Sequence, residues 1–161
     1  MRVRRAASRK TRAFAILLHE RPGSEAHYDL VLQGSDAEAS AGEAPCLTWS
    51  FAAPPGKRAV RCRRIFDHPG RFLTYEGPLR EGQGHVRQYD TGTCSVAGDP
   101  KRSFLITFLG RRLCGTFRLT LAPEGPEGMA PQGPAVEGEY LWQPAEEELS
   151  AQQCRGAAPK P

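Results

Sequence analysis

Long apolar runs, helical periodicity and paired cysteine motifs are all missing from this chain of 161 residues. No apolar stretch approaches the roughly 18 residues that a membrane-spanning helix needs, so no membrane contact is expected. The start lacks the apolar core of a secretory signal. The five cysteines (Cys46, Cys62, Cys94, Cys114 and Cys154) are odd in number and scattered, with no Cys-x-x-Cys pair. Neither a disulfide framework nor a zinc knuckle is expected from them, and a cytoplasmic, reducing compartment is the simplest home. Histidine is scarce, at four. No internal repeat is visible. At this length one domain with its own core is the expectation.

Acidic residues are absent from the first twelve positions, where Arg2, Arg4, Arg5, Arg9, Lys10 and Arg12 stand. Setting those six aside leaves 16 basic against 18 acidic residues, so the overall charge of +4 sits in an arm and the body is near −2. Such an arm can neutralise phosphates and speed encounter with a nucleic acid. A solvated, disordered start fits the same residues.

What the chain does have is a series of short strand-like runs. They are Phe14 to Leu18, His27 to Leu32, Cys46 to Ala52, Arg58 to Phe66, Phe72 to Tyr75, Val86 to Tyr89, Phe104 to Leu109, Leu113 to Leu121 and Glu139 to Trp142. Turn signals separate them: Pro22-Gly23, Gly34-Ser35, Pro54-Pro55-Gly56, Pro69-Gly70, Glu81-Gly82, Asp90-Thr91-Gly92 and Gly110. The pattern predicts an all-β fold, a compact antiparallel barrel of about eight short strands with flexible termini. The expected organisation is a basic disordered arm over 1–12, a barrel domain over 13–144 and a C-terminal tail over 145–161. Ser35 to Ala44 reads as a loop, and the Pro/Gly-rich 122–138 as a flexible excursion. Residues 145–153 suit a short terminal helix.

Two of the four histidines flank the first turn. His19 closes the first run and His27 opens the second, and Asp29 follows on the same strand face as His27. A hairpin through residues 20–26 brings His19 alongside, which makes a nitrogen and oxygen ligand set suited to a first-row divalent ion such as Mn²⁺ or Zn²⁺. A polar face of this kind is costly inside a barrel unless it is paired or metal-bound. Two surface histidines beside a turn have the same spacing. His68 lies in the turn Asp67-His68-Pro69-Gly70, downstream of Arg58, Arg61, Arg63 and Arg64. Arginine forks grip phosphate oxygens and histidine donates a hydrogen bond or a proton.

Together these pieces resemble the 3′-phosphoesterase domain of bacterial DNA ligase D. The carriers are Phe14 to His19, His27-Tyr28-Asp29-Leu30-Val31-Leu32, Trp49 to Gly56, Lys57 to Arg61, Asp67-His68-Pro69, Tyr75-Glu76-Gly77, Tyr89 to Thr93 and Phe104 to Phe117. The resemblance implies a compact β-barrel and a Mn²⁺-dependent enzyme that removes a 3′-phosphate or a terminal ribonucleoside from DNA or RNA-containing strands during repair. It implies His19, His27 and Asp29 as metal ligands, His68 at the scissile phosphate, and Arg58 or Arg64 as the phosphate-binding arginine. The implied partners are nucleic-acid 3′ ends and a ligase or polymerase on a separate chain, with the protein itself a monomer. Several family positions differ: Val31 replaces an arginine, Pro55 a lysine, Phe72 a tyrosine and Leu17 a glutamine. Arg63, Arg64, Arg71, Arg87 and His85 are the candidates to take over the lost phosphate contacts. The alternative is a catalytically weakened module that binds nucleic-acid ends or recruits a ligase.

Overall fold

The computed structural model describes residues 11–34, 44–122 and 138–145. Its strands are β1 (Thr11–Glu20), β2 (His27–Leu32), β3 (Pro45–Phe51), β4 (Val60–Pro69), β5 (Gly77–Pro78), β6 (His85–Asp99), β7 (Ser103–Gly110), β8 (Cys114–Leu121) and β9 (Gly138–Pro144), with a single 3-10 turn at Gly70–Leu73. Hydrogen-bonded neighbours run β1, β2, β3, β4, β9, β8, β7, β6, and β6 pairs back onto β1 from Thr11↔Ser95 to Glu20↔His85. Eight antiparallel strands therefore close into a barrel, and the short β5 only extends β6. Closure removes the open edges that would otherwise template aggregation. No α-helix occurs among the described residues, and none of them forms a helix long and apolar enough to cross a membrane.

Side-chain alternation gives the wall two apolar faces. Phe14 and Ile16 of β1, Leu30 and Leu32 of β2, and Trp49 and Phe51 of β3 point into the barrel, where they meet Phe104, Ile106, Phe108, Phe117, Leu119 and Trp142. Ala15, Leu17, Val31, Cys46 and Val86 form a second buried cluster on the outer face, beneath Phe72, Leu73, Tyr75 and Leu79. Burial on both faces accounts for the unbroken apolar run at the centre of β1, since only one-sided burial requires alternation. The residues between β4 and β6 are thus a cover strapped over the outside of the barrel.

Local readings fail at several places, and Asp67-His68-Pro69, expected in a turn, is the end of strand β4. Phe72 to Tyr75, expected as a strand, starts inside the 3-10 turn and belongs to the cover. Asp90-Thr91-Gly92, expected as a turn, lies inside the continuous strand β6. Gly92 is there for space, since a Cβ at that position would stand 2.3 Å from the Leu109 carbonyl oxygen across the sheet. Thr11 and Arg12, assigned to the arm, already pair with Ser95 and Cys94. Cys46, Cys62 and Cys94 are free and buried, and Cys114 is disulfide-bonded. The arm up to Lys10, most of the Ser35 to Ala44 loop, the excursion from 123 to 137 and the expected helix beyond Ala145 lie outside the described residues.

Candidate metal centre

The β1–β2 hairpin sets His19 directly opposite His27, and Asp29 opposite Leu17. Period two puts all four on one side of the wall, and that side is the outer face, with Leu17. A polar His27/Asp29 face would be costly inside the barrel. It is instead outside, buried by the cover. Asp29 is still only 2% exposed.

The donor atoms converge. His19 Nδ1 and His27 Nε2 are 3.1 Å apart. Asp29 Oδ1 is 3.3 Å from His27 Nε2, and Asp29 Oδ2 is 3.9 Å from His19 Nδ1. Two ligands held about 2.0–2.2 Å from one ion, at right or tetrahedral angles, lie roughly 2.8–3.6 Å apart. The two closer separations fall in that window, and the third is slightly longer. Asp29 Oδ1 is buried and makes no well-formed hydrogen bond. Two imidazole nitrogens and a buried carboxylate facing one point form an acceptor set that a proton or a cation completes. The residues present therefore fit a divalent ion with nitrogen and oxygen ligands.

The surroundings fix which ring nitrogens face that point. His19 Nε2 lies 2.8 Å from the carbonyl oxygen of Gln83. A carbonyl only accepts, so Nε2 carries the proton and Nδ1 keeps its lone pair toward His27. Metal-binding histidines commonly have this carbonyl contact behind them. Gly84 lets the 79–84 turn approach this closely: its φ is +76°, and a Cβ there would lie 1.8 Å from the Glu20 carbonyl oxygen.

His68 arrives by a different route. Along β4, Cys62 and Arg64 face the barrel interior, and simple alternation would send His68 the same way. However, Cys46 pairs with His68 while Thr48 pairs with Ile65, so one extra residue is accommodated in β4. This bulge reverses the phase and turns His68 outward. There its Nδ1 donates to the Phe66 carbonyl oxygen at 3.1 Å, and Nε2 stands 3.8 Å from Asp29 Oδ2.

Charge follows from these contacts. Burial alone would push the Asp29 carboxyl up. Hydrogen bonding and charge from His27 and His68 outweigh it and bring the group down from 3.8 to about 2. His27 is raised above 6.5, chiefly by the Asp29 carboxylate 3.3 Å from its Nε2, with burial acting in the opposite direction. The carboxylate is thus ionised at neutral pH and draws positive charge toward the cluster.

Above the cluster runs a groove of about 520 Å³, walled by Leu17, Phe66, Phe72, Tyr75, Leu79 and Val86 and floored at one end by His19, Asp29 and His68. Arg71 and Arg80 line it as well, and both are exposed at its rim. Gln88 ties the cover down, donating from Nε2 to the carbonyl oxygens of Phe72 and Tyr75 while its backbone N–H donates to Glu76 Oε1.

Not every expected phosphate contact joins this site. Arg64 faces the barrel interior, where its guanidinium lies over Trp49, donates to the carbonyl oxygens of Thr48 and Ile65, and pairs with Asp67. It is 8% exposed and is not one of the groove residues. Arg58 is exposed in the β3–β4 loop and is not one of the groove residues. His85 and Arg87 alternate away from the groove-lining Val86 and pair with Glu20 at 2.7 and 3.4 Å. Arg63 shares a cross-strand row with Ser50 and Asp29. Sequence reasoning missed Arg80 and the Gln83 carbonyl. The only local signal for that turn was the glycine pair Gly82 and Gly84.

No protein-family model and no curated protein matches this chain.

Proposed function

We propose that the chain is a divalent-metal-dependent phosphoesterase acting on 3′ ends of DNA or RNA-containing strands, removing a 3′-phosphate or a terminal ribonucleoside. The observation that carries this reading is the convergence of His19 Nδ1, His27 Nε2 and the Asp29 carboxylate beneath a groove rimmed by arginines. The resemblance of the same residues to the ligase D phosphoesterase domain supplies the substrate class. Mn²⁺ is the favoured ion, with Zn²⁺ the alternative, and when bound it supplies Lewis-acid stabilisation of charge on phosphate oxygens.

The chain's own groups account for the rest. His19, His27 and Asp29 hold the ion. His68, fixed by the Phe66 carbonyl at Nδ1, presents Nε2 to the end of the groove, where it can hold or release a proton on a phosphate oxygen. Arg71 and Arg80 take the charge-neutralising role expected of Arg58 and Arg64. The basic arm draws in the strand, and a ligase or polymerase on a separate chain uses the trimmed end. A monomer working in the cytoplasm completes the reading.

The direct test incubates the purified protein with Mn²⁺ and a primer ending in a 3′-phosphate. Wild-type protein is expected to release inorganic phosphate and Asp29→Ala to release none. Absence of release by wild type, beside an active control phosphatase, defeats the enzymatic reading.

One observation favours a second reading, an end-binding or ligase-recruiting module without turnover. Val31 is fully buried in the outer wall where the family pattern has an arginine, and Arg64 is spent on Asp67. Each missing charge-assisted bond removes roughly 1.5–3 kcal/mol. Binding of 3′-phosphate ends by wild type without any cleavage selects this reading.

A further inference from the structure

The most exposed large apolar side chain of the barrel, Phe66, sits on the groove and not on a random surface. It is 67% exposed and lines the groove directly beside His68. Its ring lies nearly parallel to the His68 imidazole, with centroids 5.2 Å apart and planes 23° apart. One face is therefore covered and the other is open to solvent. The β4 bulge that turns His68 outward also includes Phe66, so the two rings are presented together. Phe72 meets His68 edge-on from the other side, at 5.3 Å. An apolar ring held on a rigid strand, backed by a second ring and kept in water, costs solvation free energy unless a flat partner covers it.

The rest of the groove shows which partner. Its polar end is the cation-attracting cluster, its walls are apolar, and its rim carries Arg71 and Arg80. A bare phosphate needs the polar end only. A nucleotide needs all three: charge for the phosphate, a flat apolar surface for the base, and cations for the next backbone phosphates. Bases stack on aromatic side chains whatever their sequence, because each has a π-face.

We propose that Phe66 is a stacking platform for the nucleobase of the strand's terminal nucleotide, making the groove a subsite for unpaired single-stranded ends. This inference rests on the reading of the cluster as the seat of a 3′-phosphate, and adds that the enzyme reads the terminal base by stacking. An unpaired base exposes its face, whereas a paired terminal base is stacked within its own duplex.

The test measures equilibrium binding by fluorescence anisotropy, with the full chain and Mn²⁺ present. The probes are 5′-fluorescein octanucleotides ending in a non-hydrolysable 3′-methylenephosphonate, one with an ordinary terminal base and one with an abasic terminal residue. Wild type is expected to bind the ordinary strand about 5- to 150-fold more tightly than the abasic one. Phe66→Ala is expected to lose that preference, and Phe66→Trp to keep it. The exposure of Phe66 makes a folding defect in these variants unexpected, and unchanged thermal unfolding verifies this. Equal binding of both strands by wild type, a preference that survives Phe66→Ala, or no binding of either strand overturns the proposal. Discrimination without phosphate release in Mn²⁺ defeats the esterase reading while leaving the platform. Phosphate release that is indifferent to the terminal base does the reverse.

Discussion

Two buried carboxylates on this barrel have opposite surroundings. Asp90 is 3% exposed and accepts backbone N–H bonds from Thr91, Arg111, Arg112 and Leu113, at 2.7–3.1 Å. It ties β6 to the β7–β8 turn, and Gly110 leaves it room, since a Cβ there would lie 2.5 Å from Asp90 Oδ2. Asp29 is as deeply buried, but its neighbours are three imidazoles, and Oδ1 lacks a well-formed bond. Backbone amides have no other protonation state and cannot leave, so Asp90 is finished as a structural element. Imidazoles exchange protons and offer lone pairs, so the surroundings of Asp29 can change protonation state. In the sequence each follows a tyrosine, Asp29 inside a strand-like run and Asp90 at the head of a turn signal.

The comparison is sharpened most by removing Asp90. Asp90→Ala strands the buried Leu113 N–H and three partly buried ones and is expected to cost about 3 kcal/mol or more in urea unfolding. A loss below about 1 kcal/mol would falsify the structural role. The second effect belongs to Asp29. On the proposed reading, Mn²⁺ at a hundred times its dissociation constant stabilises the wild type by about 2.7 kcal/mol. Asp29→Ala is expected to gain nothing, and an equal gain in that variant removes Asp29 from the ligand set.

A pH scan of metal-free protein reads the same carboxylate. The folded-state value of Asp29 is depressed, so its contribution is complete above about pH 4. It disappears as pH falls from 3.8 through about 2. This corresponds to about 2 kcal/mol. His27 is raised, so its contribution is complete below pH 6.5 and is lost as pH rises through the folded value. The cluster's stabilisation is therefore fullest between about pH 4 and 6.5, and Asp29→Asn is expected to flatten the acid limb. An unchanged acid limb in that variant refutes the coupling. The smallest effect is expected from Gly84→Ala, which shifts the turn carrying the Gln83 carbonyl. Ion affinity should fall about 10-fold through loss of His19 orientation. Calorimetric titration with Mn²⁺ checks this, and unaltered affinity would show that the Gln83 contact does not orient the ligand.

Much of the barrel and the heart of the site were legible in advance. The runs of β1, β2, β3, β7, β8 and β9 were readable because alternation and turn residues are local properties. The His19, His27 and Asp29 grouping was readable for the same reason, since one short hairpin delivers all three. Phe72 to Tyr75 failed because aromatic residues that look like a strand were needed to cover an outer wall. Asp90-Thr91-Gly92 failed because a glycine demanded by cross-strand crowding looks like one demanded by a turn. The partners of Arg64 were not legible, because its carbonyl and carboxylate contacts became apparent only once the interior had closed around it.

By itself the sequence determined the strand periods, the closed β class and the hairpin that pairs His19 with His27. These depend on neighbours a few residues apart, where chain geometry leaves little choice. Only the tertiary structure decided that this hairpin face looks outward, that the bulge in β4 turns His68 toward Asp29, and that a carbonyl 64 residues away orients His19. Each of those depends on which strand lies alongside and in what register, and strand pairing is a property of the closed barrel, not of any one segment.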